Sequence, residues 1–137
     1  MIQANTVITG DSLTVLRDME ADSVDMVITD PPYGIDYQSG RKEKASRSQK
    51  SPTTRPRLSG GSMRVVKRGG GVLCFTRWDV QQVFIDALRL AGLTVKSVIV
   101  WDKKAHGMKL EFAPRYEAII FATKGRYLSS RENGRTT

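Results

Sequence analysis

Val24-Asp25-Met26-Val27-Ile28-Thr29 runs straight into Asp30-Pro31-Pro32-Tyr33, and the reading of that junction decides the fold. The first part is short, apolar and rich in branched side chains, the composition of a buried strand. Two prolines close it. Neither has an N–H to give to a sheet, and each pushes its predecessor towards extended geometry. The chain therefore leaves the strand in a stiff turn that carries an acid and an aromatic ring. In an open α/β sheet, ligands bind just beyond the carboxyl ends of the strands. Asp30 and Tyr33 stand at such an end.

The chemistry that suits this turn is alkylation of an exocyclic amino group on a nucleobase. That nitrogen is a poor nucleophile because its lone pair is delocalised into the ring. Two acceptors aimed at its two N–H bonds pull it towards tetrahedral geometry and free the lone pair. Asp30 offers a carboxylate, which only accepts when ionised. The adjacent proline carbonyl, at Pro31 in a backbone stiffened by Pro32, offers the second acceptor. Tyr33 offers a flat face on which an extruded base can stack. The tetrapeptide resembles the motif of the S-adenosylmethionine-dependent amino-methyltransferases of DNA, which act on adenine N6 or cytosine N4. Its Asp-Pro-Pro-Tyr form looks more like the adenine branch.

Upstream of this junction, Thr6-Val7-Ile8-Thr9 reads as a strand. Gly10-Asp11-Ser12 then supplies a cap for a helix whose Leu13, Leu16 and Met19 share a face, ending near Asp22. Strand, helix, strand at this spacing is a βαβ unit with a parallel pair. Downstream, Gly71 to Thr76 is an apolar strand, and Gly69-Gly70-Gly71 reads as the turn before it. A helix spans Val80 to Ala91, with Asp79 as its cap, Gln82 completing a capping box and Gly92 at its end. Thr94 to Trp101 and Tyr116 to Thr123 are two further strands. The fold class is therefore α/β, an incomplete Rossmann-like sheet of about five strands within residues 1–128. From Ser129 to Thr137 the composition is polar and reads as a tail.

The formal net charge is +8 over 137 residues, and its distribution is uneven. From Arg41 to Arg68 ten Lys or Arg face a single acid, Glu43, so that segment carries +9 and the remainder about −1. This basic insert, at about 38–68, reads either as a contact for nucleic-acid phosphates or as a solvated, disordered loop. Within it, residues 51–63 hold two prolines and two glycines and no apolar stripe, where an α/β crossover needs a helix to cover the sheet. The pattern resumes at Arg64-Val65-Val66-Lys67. A local change of reading frame accounts for such a scramble between two sound segments, and predicts an exposed sheet face. No run approaches the roughly 20 apolar residues of a membrane span, and the polar start is no signal peptide. One cysteine, Cys74, in an apolar strand and one histidine, His106, make a metal site unexpected. The expected compartment is the cytoplasm of a bacterium or a phage-infected cell.

The resemblance extends beyond the first motif. Asp30 to Gly34, the glycine run into the strand at 69–76, Trp101-Asp102-Lys103 and Lys124-Gly125 fall in the order found in phage-type and bacterial adenine methyltransferases. It implies S-adenosylmethionine as cofactor and double-stranded DNA as partner. It also implies Asp30, Pro31, Pro32 and Tyr33 as the catalytic turn, with Asp11 and Asp30 on the cofactor side. Arg41, Lys42, Lys44, Arg77, Lys103, Lys104 and Lys109 would meet phosphates. His106, in a loop before the last strand, reads as a turn residue or as one facing the base or DNA. Family members continue into a target-recognition region and a Phe-x-Gly-x-Gly-type loop for the methionine part of the cofactor. This sequence has neither, so the resemblance implies the base-binding part of an active site, inactive alone. The alternatives are a non-catalytic DNA-binding remnant, or one part of a split enzyme completed by a second chain.

Overall fold

The computed structural model describes residues 2–31, 54–104 and 115–127. Seven elements follow in order: α1 (Ser12–Asp18), β1 (Val24–Thr29), α2 (Thr54–Val65), β2 (Val66–Thr76), α3 (Gln81–Leu90), β3 (Thr94–Asp102) and β4 (Tyr116–Thr123). The strands form one sheet in the order β1-β2-β4-β3. β1 and β2 are parallel, and β4 runs antiparallel to both β2 and β3. β3 is thus parallel to β1 and β2, and the last of the described strands is inserted between β2 and β3. All three parallel strands end at one edge of the sheet, at Thr29, Thr76 and Asp102.

The core lies on one face of that sheet. Val72, Cys74 and Thr76 of β2 alternate with half-buried neighbours, as do Ala118, Ile120 and Ala122 of β4. This is the period of two that points successive side chains to opposite faces. Phe84, Ile85, Ala87 and Leu88 bring α3 onto the buried set, and Leu93 closes it. The other face carries Leu73, Phe75, Ile119 and Phe121, none fully buried. Phe75 meets Trp101 edge-on at 6.1 Å, and Phe121 meets Tyr127 at 5.1 Å. Among the described residues no helix covers this face, but that is not the face expected from a missing crossover helix, because a helix, α2, stands at that crossover.

The structure corrects the sequence reading at five places. Thr6 to Thr9 is not a strand: Asn5 is left-handed at φ 58°, Thr6 Oγ1 donates back to the Gln3 carbonyl, and Val7 is 97% exposed. A strand needs a ladder partner, and none lies beside it among the described residues, so four strands rather than five are seen. The 51–63 stretch reads from its composition as a loop, yet residues 54–65 are helical. Pro56 sits in the first turn of α2, where its missing N–H costs no helical hydrogen bond. The glycine run is not a turn before β2 but lies inside it. β2 bulges there, since Val24 pairs with Val66 while Met26 pairs with Gly71. A Cβ on Gly70 would stand 2.5 Å from the Asp25 carbonyl, so only glycine fits that approach. The helix after Asp11 ends at Asp18 rather than near Asp22. The cap of α3 is Val80, with no side-chain bond, because the Asp79 carboxylate is drawn to Arg77 instead.

α1 is held differently from α3. It has no buried residue. At its start, Asp11 Oδ2 accepts from both the N–H and the hydroxyl of Thr14 at 3.0 Å. At its end, the Arg64 guanidinium of α2 donates to the carbonyls of Leu16, Arg17 and Met19. Those carbonyls belong to the last turn of the helix, which has no backbone donors of its own.

Candidate active site

The edge at which β1, β2 and β3 end carries three ion pairs, while Lys67 with Asp25 and Lys124 with Asp22 pair at the opposite end. Pro31, directly after the strand, is buried, while Asp30 is exposed. Thr29 pairs with Cys74, which brings Asp30 near the end of β2. The charge of Asp30 is felt there. Burial first, and Asp30 second, push the Cys74 thiol up to about 12. Burial, more than the charge at that end, keeps the thiol neutral.

Arg77, on leaving β2, donates from Nε to Asp79 Oδ1 at 2.9 Å and from its terminal nitrogen to Oδ2. That guanidinium holds the Asp79 carboxyl below the usual carboxylate range. At the end of β3, Asp102 takes a two-pronged bond from Arg115 at 2.9 and 2.8 Å, together with the Lys104 N–H at 2.9 Å. The Arg115 bond chiefly lowers the Asp102 carboxyl, and in return Arg115 is raised. Lys103 reaches Glu117 at 2.9 Å. Asp11 is lowered by the Thr14 backbone N–H and then by its hydroxyl.

Of the residues singled out from sequence, the structure brings Asp30, Pro31, Arg77, Lys103 and Lys104 to one edge. Asp11 heads α1, and its neighbours Gly10 and Ser12 line a cleft with Thr29, the residue before Asp30. Arg77 and Lys103 each neutralise an acid, so their charge is shared between that partner and any phosphate. Pro32, Tyr33, Arg41, Lys42, Lys44, His106 and Lys109 lie outside the described residues. Sequence reading passed over Arg115. The signal was its place across the antiparallel pair from Asp102, visible once β3 and β4 are set in register. Among the described residues no group of three or more His, Cys, Asp or Glu could hold a metal ion, and no helix is long and apolar enough to cross a membrane.

A parallel-strand edge that carries Asp30 and Pro31, on a sheet with one antiparallel strand inserted, is the setting in which the comparisons with known proteins fall. Residues 24–133 match the family of DNA methylases of the N6/N4 type, and the chain belongs to that family. The DNA adenine methyltransferase YhdJ of Escherichia coli is 29% identical over 124 residues, covering 89% of this chain and 42% of that protein. The Thermus thermophilus protein TTHA0409, described as a DNA modification methylase and crystallised with S-adenosyl-L-methionine, superposes with a TM-score of 0.66 at 20% identity. That match covers 93% of this chain and 58% of the other. The cytosine-N4-specific PvuII DNA methyltransferase superposes with a TM-score of 0.65 at 14% identity, over 86% of this chain and 48% of its own. At those identities the structural likeness speaks for the α/β methyltransferase fold. The chain spans about half or less of the length of the curated relatives it matches, from 35% to 52%.

Proposed function

We propose that this chain carries the base-binding part of a DNA amino-methyltransferase, acting with S-adenosylmethionine on the exocyclic amino group of a flipped base, adenine N6 in preference to cytosine N4. The observation that carries the reading is the position of Asp30-Pro31. An exposed acid and a buried proline sit together at the carboxyl end of β1, beside the end of a parallel neighbour. Family membership supports the reaction class, and the adenine enzyme among the curated relatives supports the choice of base.

The residues present fit the adenosine part of the cofactor by their chemistry. Asp11 is kept ionised by Thr14 through one oxygen, Oδ2, so Oδ1 lies outside both bonds and suits an amino or hydroxyl donor. For the methionine part, no glycine loop opening a helix after a strand occurs among the described residues. Bound S-adenosylmethionine supplies an electrophilic methyl group on a sulfonium. Asp30 and the Pro31 carbonyl accept from the two N–H bonds of the target nitrogen and turn its lone pair outward. Once alkylated, that nitrogen is cationic and acidic, so Asp30 need only hold the proton briefly before water takes it. Tyr33 stacks on the extruded base. Lys104, with Arg77 and Lys103 by exchange of partners, meets the phosphates.

In a chain extended to the length of its relatives, Asp30→Ala lowers turnover by at least ~100-fold, the scale of a lost positioned group. Cofactor affinity changes far less. Near-normal turnover in that variant sinks the mechanism. The 137 residues alone bind DNA weakly, with affinity falling as salt rises, and incorporate no methyl group. Robust incorporation by the purified chain overturns the reading of a partial site.

A further inference from the structure

The inward positions of α2 do not match its residues. Ser62 is 2% exposed and Val65 is fully buried, while Gly61 lies against Leu16. Positions 58, 61, 62 and 65 follow the spacing of a helix's apolar stripe. In this chain they read Leu58, Gly61, Ser62 and Val65, so the middle of the stripe carries almost no side chain. Beside it lies a cleft of about 260 Å³ between α1, β1 and α2, whose walls include Val15, Leu16, Val27 and Ile28, with Ser62 on the α2 side. Helix, burial and cleft all ask for large apolar groups that the sequence lacks.

We infer that residues 51–64 are an out-of-frame translation of codons for an apolar, aromatic helix, and that this cleft is shaped for that helix's side chains. The reason is in the genetic code. In the frame that joins the third base of each codon to the first two of the next, a glycine codon yields only Trp, Arg or Gly. A serine codon beginning TC yields only Phe, Leu, Ile or Val. A Ser/Gly-rich run is thus what a tract of Trp and branched residues becomes when displaced by one base. Permissible codons for Ser51 to Arg64 give, in that frame, Ala-Asn-Asp-Lys-Thr-Pro-Phe-Ile-Trp-Trp-Leu-Tyr-Ala.

The correspondence meets the structure at the buried Ser62, on the wall of the cleft. Phe stands in place of Leu58, Trp in place of Gly60 and Gly61, and Leu in place of the buried Ser62. With Val65 these complete the stripe at 58, 61, 62 and 65, and the in-frame pattern resumes at once with Val65 and Val66, both fully buried. A Cβ at Gly61 would meet Leu16 at 3.1 Å, so a Trp there requires Leu16 to give way. α1 has no buried residue to hold it against such a shift. An insertion and a compensating deletion of one base, near codons 50 and 64, produce the whole effect.

Two experiments decide it. The coding nucleotides from codon 50 to codon 64 are read in the offset frame. The aromatic run Phe-Ile-Trp-Trp-Leu-Tyr is the expected result, and an offset reading without it overturns the inference. In the full 137-residue chain, Ser62→Leu fills the cleft and raises the melting temperature by roughly 4 °C or more, the shift expected for a modest gain in a domain of this size. An unchanged or lower melting temperature overturns the assignment of the cleft to an apolar side chain.

Discussion

The two faces of the sheet are made from the same strands and are stabilised very differently. On the face under α3, Val72, Cys74, Thr76, Ala118, Ile120 and Ala122 are all at most 3% exposed. On the opposite face the same two strands carry Leu73, Phe75, Ile119 and Phe121, which are only half-buried. The edge strands are open on both sides: Ile99 is 45% and Ile28 66% exposed there, and Val98 37% and Val100 65% on the α3 face. Alternation along β2 and β4 sorts side chains to the two faces, but burial depends on what lies across from them. Strand pattern assigns a face, whereas a covering layer assigns the energy. The face that no described helix covers belongs to a chain spanning about half or less of its curated relatives' length.

The contrast can be broken by truncation on each side. Ile120→Ala, fully buried at the centre of β4, should cost about 2–5 kcal/mol, the transfer term plus the cavity left behind. Ile99→Ala on the open face should cost less than about 1.5 kcal/mol, because much of its surface is already in water. Denaturant titrations of the two variants check this. Equal losses would mean that the open face is covered in solution, by a second copy or by a partner.

Cys74 sharpens the same contrast by pH. Its thiol is raised from 9.0 to about 12 in the folded chain. A raised folded value means that the unfolded chain releases the proton first. The stability it contributes is complete below pH 9 and is lost as pH climbs towards 12. The chain should therefore resist thiol reagents at neutral pH and lose stability across that alkaline window. Cys74→Ala should flatten the alkaline slope, and a slope unchanged in that variant would remove the burial argument.

The smallest effect belongs to the exposed edge. Asp79 and Asp102 are held low by Arg77 and Arg115. With folded values below the ordinary 3.8, their contribution is present above that pH and lost only as pH falls through the lowered values. Because the Arg77 and Asp79 side chains are about a third exposed, Asp79→Asn should change stability by no more than about 1 kcal/mol. A larger loss on denaturant titration would show the pair to be part of the packed structure.

What the sequence disclosed follows from which interactions are local. β1, β3 and β4 are legible because their apolar runs are short, continuous and bounded, and α3 because its stripe and Gly92 agree. Asp11 as a helix cap is legible for the same reason. Thr6 to Thr9 has strand-like residues, but a strand also needs a neighbour, which composition does not report. The glycine run in β2 reads as a turn because its purpose, a close approach to the Asp25 carbonyl, lies across the ladder. Asp79 reads as a cap because nothing in the spacing reveals that a guanidinium two residues earlier outcompetes the backbone for its carboxylate. At the site, the Asp30-Pro31 pair that ends β1 is visible in the chain itself, whereas the tie between Asp102 and Arg115 emerges only once β3 and β4 are aligned.

Arg64 gives α1 an unusual dependence. A helix whose apolar residues, Leu13, Val15 and Leu16, are only half-buried gains little from packing, so its opening leans on the bonds at its two ends. One of these is a single guanidinium gripping three carbonyls, and the other is Asp11. The helix behaves as a clasp with one catch at each end. A ligand that engaged Asp11 would tighten the first catch, and its binding would be felt as slower amide exchange through the whole of α1. By the same coupling, loosening Arg64 would weaken that ligand's hold without touching it. If Asp11 holds the ligand proposed for it, the thermal fraying of one short helix is tied, through its backbone, to that ligand's binding.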